Sequence, residues 1–125
     1  MTIPGSEPTV PLDIARPIVM VSFDPDKTPP NDPFTFVPET VTMWYAGRII
    51  LKKSSTDARW RFQGATVKDD TLREFRATVE SGDNTIHIFN EMRDTAKKSY
   101  RYNVTVELDG VSFTCASPVI VNDPR

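Results

Sequence analysis

The segment "SYRYNVTVELDGVSFTC" (99–115) constrains the fold more than any other part of the chain. Apolar and polar side chains alternate from Tyr100 to Leu108, which is the period of a β-strand with one buried face. Asp109-Gly110 then supplies the two residues of a type I′ turn, which needs positive φ at both positions. The turn sets a register with three pairs on the apolar face: Leu108 with Val111, Val106 with Phe113, and Val104 with Cys115. The sequence therefore predicts a β-hairpin with one inward face.

Proline divides the chain into two unequal parts. Nine of the eleven prolines lie in residues 1–38, and none lies in residues 41–117. Because proline lacks an amide donor, it suits loops and edges and is excluded from central strands. We therefore expect an extended or disordered proline-rich arm at 1–16 and a single β-sandwich domain at 17–125, with a long loop at 24–33.

The remaining segments also favour strands. Runs with β-type alternation or β-rich composition are separated by turn residues such as "SSTD" and "SGDN": 17–23, 33–43, 48–53, 58–62, 73–80 and 84–92. Short strands at this spacing are typical of a sandwich or barrel. We predict an all-β fold, a two-sheet antiparallel sandwich of immunoglobulin-like architecture with seven to nine strands. A short helical turn is expected only at 69–73.

Composition narrows the cellular setting. No apolar run approaches the roughly 20 residues that a membrane helix needs, and the first residues lack the pattern of a secretory signal. Cys115 is the only cysteine, so no internal disulfide can form, as is usual in a reducing compartment. These features predict a cytoplasmic protein without membrane association.

The net charge of −2 is unevenly distributed. Residues 41–68 carry six basic side chains against Asp57 alone, whereas the segments on either side are acidic. Within this basic stretch, "ARWRFQG" (58–64) raises the possibility of a nucleic-acid surface. Strand alternation argues against it, because it places Trp60 and Phe62 on one face and the neighbouring arginines on the other.

Catalytic and metal-binding groups are sparse. His87 is the only histidine and is expected beside Phe89 on the less buried face of its strand, while Cys115 is expected to point inward, where a thiol is inert. One histidine cannot build a blue-copper site, and the ligand spacing of a zinc site is missing. A weaker alternative is calcium held by loop carboxylates: Asp24, Asp26, Asp32, Asp69 and Asp70. We predict no enzyme activity, no metal and no cofactor.

The stretch "MWYAGR" (43–48) leaves a binding function open. Consecutive Trp44 and Tyr45 must point to opposite faces of a strand, so one of them is expected to be exposed. An exposed aromatic ring beside arginine can bind a sugar, a base or another protein. The candidate ligand-binding residues are Trp44, Tyr45, Arg48, Arg59 and Arg61.

The C-terminal third resembles a known family. "KKSYRYNVTVELDG" followed by "ASPVIVNDP" is similar to the end of the small bacterial proteins of the DP-EP family, which are distantly similar to PixA and AidA inclusion-body proteins. The resemblance covers roughly residues 84–125, with Ser117 standing where the family pattern has an acidic residue. It implies a β-sandwich that self-associates and provides no catalytic residues.

Two functions therefore remain in competition. The first is a non-enzymatic structural or self-assembling module, in which the arm pairs with a neighbouring sheet edge and forms a homodimer or larger assembly. The alternative is a module that binds a carbohydrate or another small ligand through exposed aromatics. Nucleic-acid binding through residues 48–68 ranks below both.

Overall fold

The structure, a computed structural model, describes residues 17–27, 33–54, 59–80, 82 and 84–124. These residues form ten strands: β1 (Ile18–Phe23), β2 (Phe34–Val37), β3 (Thr40–Met43), β4 (Gly47–Lys53), β5 (Trp60–Val67), β6 (Phe75–Glu80), β7 (Thr85–Asn90), β8 (Lys98–Leu108), β9 (Val111–Cys115) and β10 (Val119–Asn122). The prediction of an all-β fold is confirmed. The expected arm at 1–16 lies outside the described residues.

The strands form two sheets. Sheet 1 has the order β2-β1-β4-β7-β6, and sheet 2 has the order β3-β10-β8-β5, with β9 also paired to β8. The predicted two-sheet sandwich is therefore confirmed, with ten strands where seven to nine were expected. The sheets are not purely antiparallel, because β1 pairs with β4 and β3 pairs with β10 in parallel.

The crossing of the chain between the sheets explains the first parallel pair. β2 lies beside β1 in sheet 1, and the chain then passes through the cis Val37–Pro38 peptide into β3 of sheet 2. It returns to sheet 1 as β4, which lies beside β1 and runs in the same direction. Local alternation reveals strands but not such a crossing, so the sequence could not predict it.

The predicted hairpin is present as β8 and β9. Leu108 pairs with Val111 and Val104 with Cys115, around a turn in which Asp109 has φ 52° and Gly110 has φ 80°. One detail was wrong, because Val111 is 54% exposed and does not lie in the core. Burial rises with distance from the turn, since the tip of the hairpin extends beyond the core.

Within the stretch "ARWRFQG", side chains alternate between the core and solvent in β5. Trp60 and Phe62 are buried in the core, while Arg59 and Arg61 are exposed, as predicted. Trp60 contacts Phe23, whose ring also packs against Phe34 at 4.9 Å between ring centroids. This group, called the aromatic end below, closes one end of the sandwich with the rings of Phe23, Phe34, Trp60, Phe62 and Phe113.

The segment 68–74 between β5 and β6 contains turns where a helical turn was expected. Asp69 and Arg73 both adopt positive φ, which interrupts a right-handed helix. The Asp70 carboxylate accepts hydrogen bonds from the amides of Glu74 (3.0 Å) and Phe75 (3.1 Å) and so fixes the entry to β6. No helix long or apolar enough to cross a membrane occurs among the described residues.

Candidate functional site

The proposed ligand-binding residues do not form one site. Trp44 and Tyr45 lie in the connection between β3 and β4, where Tyr45 is 47% exposed and Trp44 is half-buried. Arg48 follows in β4 on the outer face of sheet 1. In contrast, Arg59 precedes β5, and Arg61 lies on the outer face of sheet 2. Tyr45 and Arg48 therefore belong to one region, and the other two arginines to another.

Arg61 already has a carboxylate partner. Its Nε and one terminal nitrogen both donate to Glu107 Oε1, at 2.8 and 2.6 Å, across the β5–β8 pair. The basic residues of 41–68 are thus divided between opposite faces, with Arg48 on sheet 1 and Arg61 on sheet 2. A continuous basic track for a nucleic-acid backbone needs its cations on one surface, and Arg48 and Arg61 lie on different ones.

A groove of about 480 Å³ is lined in part by Ala46 and Gly47, the two residues between Tyr45 and Arg48 in the chain. Its lining comes from the start of β4, the entry to β6 and the end of β7: Ala46, Gly47, Arg73, Glu74, Phe75, Arg76, Phe89, Asn90 and Glu91. The register of sheet 1 explains this combination, because Phe89 pairs with Arg48 on one side and with Arg76 on the other. Sequence reasoning identified Arg48 but missed the arginines contributed by β6 and its entry.

Charged side chains of both signs line the groove, namely Arg73 and Arg76 with Glu74 and Glu91. The Arg76 guanidinium lies 4.5 Å from the centroid of the Phe89 ring, a cation–π contact that orients the charge without neutralising it. Arg73 lines the same groove, and its backbone there adopts a positive φ. Glu91 also lines it, but the Glu91 carboxylate is paired with the Arg93 guanidinium at 3.0 Å. Two arginines therefore face the groove, with Arg48 next to them.

His87 occupies the outer face of sheet 1, close to this region. Its Nδ1 is 3.5 Å from an Arg48 nitrogen and 3.5 Å from Glu80 Oε2, and its ring lies beside Phe89, as the sequence predicted. Cys115 is buried in β9 of the other sheet, with its sulfur 3.2 Å from the Ser117 hydroxyl. These positions separate the two residues on which nucleophilic catalysis would depend.

The acidic loops have local structural roles. Asp24 accepts the Asp26 amide at 3.0 Å, which is an Asx turn, and Asp70 holds the entry to β6 as described above. Asp32 lies outside the described residues. Among the residues that the structure describes, no three His, Cys, Asp or Glu side chains are grouped to hold a metal ion.

Behind the groove lies a buried polar cluster, called the polar end below, at the opposite end of the sandwich from Trp60. Its members come from both sheets and from the connections β5–β6 and β7–β8 between them: Glu74, Asn90, Asp94, Tyr100 and Asn122. The Asn90 amide donates to Asn122 Oδ1 at 2.7 Å and so joins sheet 1 to sheet 2. Glu74 is only 1% exposed. Sequence reasoning missed this cluster, although Asn90 and Asn122 stand at positions that alternation assigns to the core.

The cluster also perturbs acid–base equilibria. Burial raises the pKa of Glu74, against the opposing hydrogen bonds from Tyr100 and the Arg93 amide. Burial opposes ionisation of Asp94 as well, but hydrogen bonds with Asn122, Glu74 and Tyr100 outweigh it and lower the pKa of Asp94. The pKa of Tyr100 is raised, first by burial and then by the two carboxyl groups. The pKa values of Glu74 and Asp94 are therefore shifted in opposite directions, as is typical of a pair of acids that shares one proton.

Comparison with known proteins gives no family. No protein-family model matches the chain, and no curated protein matches it. Among solved structures, the chain is similar to the NMR structure of a protein from Bacteroides thetaiotaomicron, with 14% sequence identity and a TM-score of 0.41 over 68% of this chain and 75% of that one.

Proposed function

We propose that this sandwich is a non-enzymatic binding module whose groove accepts an acidic saccharide. The observation that carries the proposal is the placement of Arg73 and Arg76 in one groove, with Arg76 held over Phe89 and Arg48 alongside. Guanidinium groups bind carboxylates through paired, charge-assisted hydrogen bonds. A sugar acid offers both a carboxylate for these arginines and a ring face for the exposed Tyr45.

The absence of catalytic activity is part of this proposal. It is supported by the burial of Cys115 and by the position of His87 on the other sheet. The single cysteine also supports a reducing compartment, so we propose a cytoplasmic location.

The test is an NMR titration of the labelled full chain with a trimer of galacturonic acid, compared with the neutral galactose trimer. We expect the acidic trimer to shift amide signals in 45–48, 73–76 and 87–91, and the neutral trimer to have little effect. Arg76→Gln should weaken binding by about tenfold or more, because a charge-assisted hydrogen bond is lost. Arg61→Gln is the matched control, since Arg61 lies on the opposite sheet. Equal responses to both trimers would contradict the proposal.

Self-association is a second candidate, which a different surface favours. On the outer face of sheet 1, Ile18 is 45% exposed and Val37 is 60% exposed. The half-buried Met20 pairs with Val37 on one side of β1, and the half-buried Ile50 pairs with Ile18 on the other. A contiguous apolar patch of this kind is a common contact surface. The similarity of the C-terminal third to DP-EP proteins supports the same function, and we propose that kinship as well.

Light scattering on a sizing column tests this second candidate. We expect masses above the 14.1 kDa monomer at high concentration, and a return to that mass in Val37→Lys. Val111→Lys, at an exposed valine in the other sheet, is the control. A variant without residues 1–16 shows whether the arm contributes to the contact. A monomer at every concentration would refute self-association.

A further inference from the structure

The Tyr100 hydroxyl is surrounded by more acceptors than one proton can serve. Its oxygen lies 2.8 Å from Glu74 Oε2, 2.8 Å from Asp94 Oδ1 and 2.9 Å from Asp94 Oδ2. A phenol has a single proton to donate, so it can satisfy only one of the two carboxyl groups. If both were ionised, one contact would place oxygen lone pairs against each other at 2.8 Å.

The other donors of the cluster do not remove this conflict. The Arg93 amide donates to Glu74 Oε1 at 2.8 Å, and the Asn122 amide is within reach of Glu74 Oε1 and Asp94 Oδ2, at 3.2 and 3.0 Å. Glu74 also shares a side-chain hydrogen bond with Asp94, but none of these donors serves the contact between Glu74 Oε2 and the Tyr100 oxygen. A proton on Glu74 would turn this contact into a normal hydrogen bond.

We infer that protonated Glu74 donates to Tyr100, that Tyr100 donates to ionised Asp94, and that loss of the Glu74 proton loosens the segment 91–97. This inference goes beyond the proposed binding function and does not depend on it. The opposite pKa directions of the two acids support the assignment of the proton to Glu74. Glu74 is the more deeply buried of the two acids, so ionisation costs more free energy for Glu74 than for Asp94.

The charged and titratable groups around Glu74 are of both signs, and the Asp94 carboxyl among them opposes its ionisation. They come from its own segment, from 91–97, from β8 and from the residue after β10: Asp70, Arg73, Glu91, Arg93, Asp94, Lys98, Tyr100 and Asp123. Lys98 acts on Asp94, and its ammonium lies 4.9 Å from the Tyr100 ring. The Arg93 guanidinium is bound to Glu91 and to the Leu72 carbonyl. The nearby carboxylates of Asp70 and Asp94 would repel a charge on Glu74.

Glu74 also binds the segment 91–97 at two points. Its backbone carbonyl accepts the Glu91 amide at 2.8 Å, and its side chain accepts the Arg93 amide. A charge on Glu74 favours states in which the carboxylate reaches water, and reaching water breaks the side-chain bonds that attach 91–97. The segment therefore opens more often as the pH rises from the ordinary range of a glutamate towards the raised pKa of Glu74.

Amide hydrogen exchange measured against pH tests the inference. After division by the intrinsic exchange rate, we expect the opening equilibrium at Arg93 to rise by up to about tenfold per pH unit until the pKa of Glu74 is passed. Glu74→Gln should abolish this dependence, since a neutral amide can donate to Tyr100 at any pH. Glu107→Gln, which alters an ion pair on the outer face of sheet 2, should leave it unchanged. An opening equilibrium at Arg93 that does not change with pH in the wild type would overturn the inference.

A second measurement covers the case in which Glu74→Gln does not fold. Carbon-13 NMR of the wild-type carboxyl groups should show Glu74 titrating above 4.5, the ordinary value for glutamate, and Asp94 below 3.8, the ordinary value for aspartate. An ordinary pKa for Glu74 would refute the shared proton, whether or not the groove binds any saccharide. Failure of the saccharide titration would refute only the proposed function.

Discussion

The two ends of this sandwich are closed by opposite chemistry. At the aromatic end, Phe23 contacts the rings of Phe34, Trp60 and Phe113, with centroid distances of 4.9 to 5.9 Å. At the polar end, Asn90 and Asn122 bond to each other across the two sheets. The first end is stabilised by the removal of apolar surface from water, which no protonation state affects. The second depends on hydrogen bonds that must all be satisfied, so its stability depends on pH.

Truncation of the aromatic end should have the largest effect. Trp60→Ala removes a buried ring that contacts both Phe23 and Phe62, and a cavity remains because the sheets cannot collapse onto it. We expect a loss of about 3–5 kcal/mol in the free energy of unfolding, measured by urea denaturation. The loss should be the same at pH 5 and pH 8. A loss that changes with pH would mean that the two ends are coupled.

At the polar end, Tyr100→Phe should have a smaller effect. The variant keeps the ring and removes only the hydroxyl that lies between Glu74 and Asp94. We expect a loss of about 1–3 kcal/mol, because the buried Glu74 carboxyl and the half-buried Asp94 carboxyl lose their shared partner. Tyr45→Phe is the control, since Tyr45 is exposed on the connection between β3 and β4. A Tyr100→Phe variant as stable as the wild type would remove the energetic distinction between the two ends.

The pH dependence of stability should separate the ends more sharply than either truncation. The pKa of Glu74 is raised on folding, so its protonated form stabilises the folded state. This contribution to the free energy of unfolding is fully present below the ordinary glutamate range and is lost as the pH rises through the raised pKa. The pKa of Asp94 is lowered, so its contribution is lost as the pH falls through that lower value. Stability should therefore pass through a maximum between the two.

Urea denaturation at a series of pH values measures this maximum. Glu74→Gln should remove the decline on the alkaline side of it, while Trp60→Ala should lower the whole curve and keep its shape. If the Glu74→Gln curve retained the alkaline decline, another group would have to be its source.

The same contrast explains how much the sequence could predict. Trp60 and Phe62 alternate with arginines, and Asp109-Gly110 fixes a two-residue turn, so local rules were enough for the start of β5 and for β8 and β9. They did not predict that β5 continues to Val67 past a register shift between Phe62 and Gly64. Val104 and Cys115 were placed opposite each other from the turn alone. These features are determined by residues that are close together in the chain, so a short stretch of sequence is enough to predict them.

The polar end and the groove depend on residues that are far apart in the chain. Glu74 meets Tyr100 across 26 positions and Asn122 across 48, through strand pairings that include a parallel crossing. Arg48 and Arg76 reach opposite sides of Phe89 only after three strands have paired. A polar residue at an inward position, such as Asn90 at the end of "TIHIFN", was the available signal. It indicates that a buried partner is needed but does not identify the partner.

The smallest effect is expected on the surface of sheet 2, outside the aromatic end. The ion pair of Arg61 and Glu107 has good geometry, but the Arg61 side chain is 58% exposed. Water and salt screen such a pair, so Arg61→Ala should cost about 0.2–1 kcal/mol, and less in high salt. The double-mutant cycle with Glu107→Ala measures the pair itself. A coupling as large as the loss in Tyr100→Phe would show that exposed and buried charges contribute alike, and the contrast between the two ends would then fail.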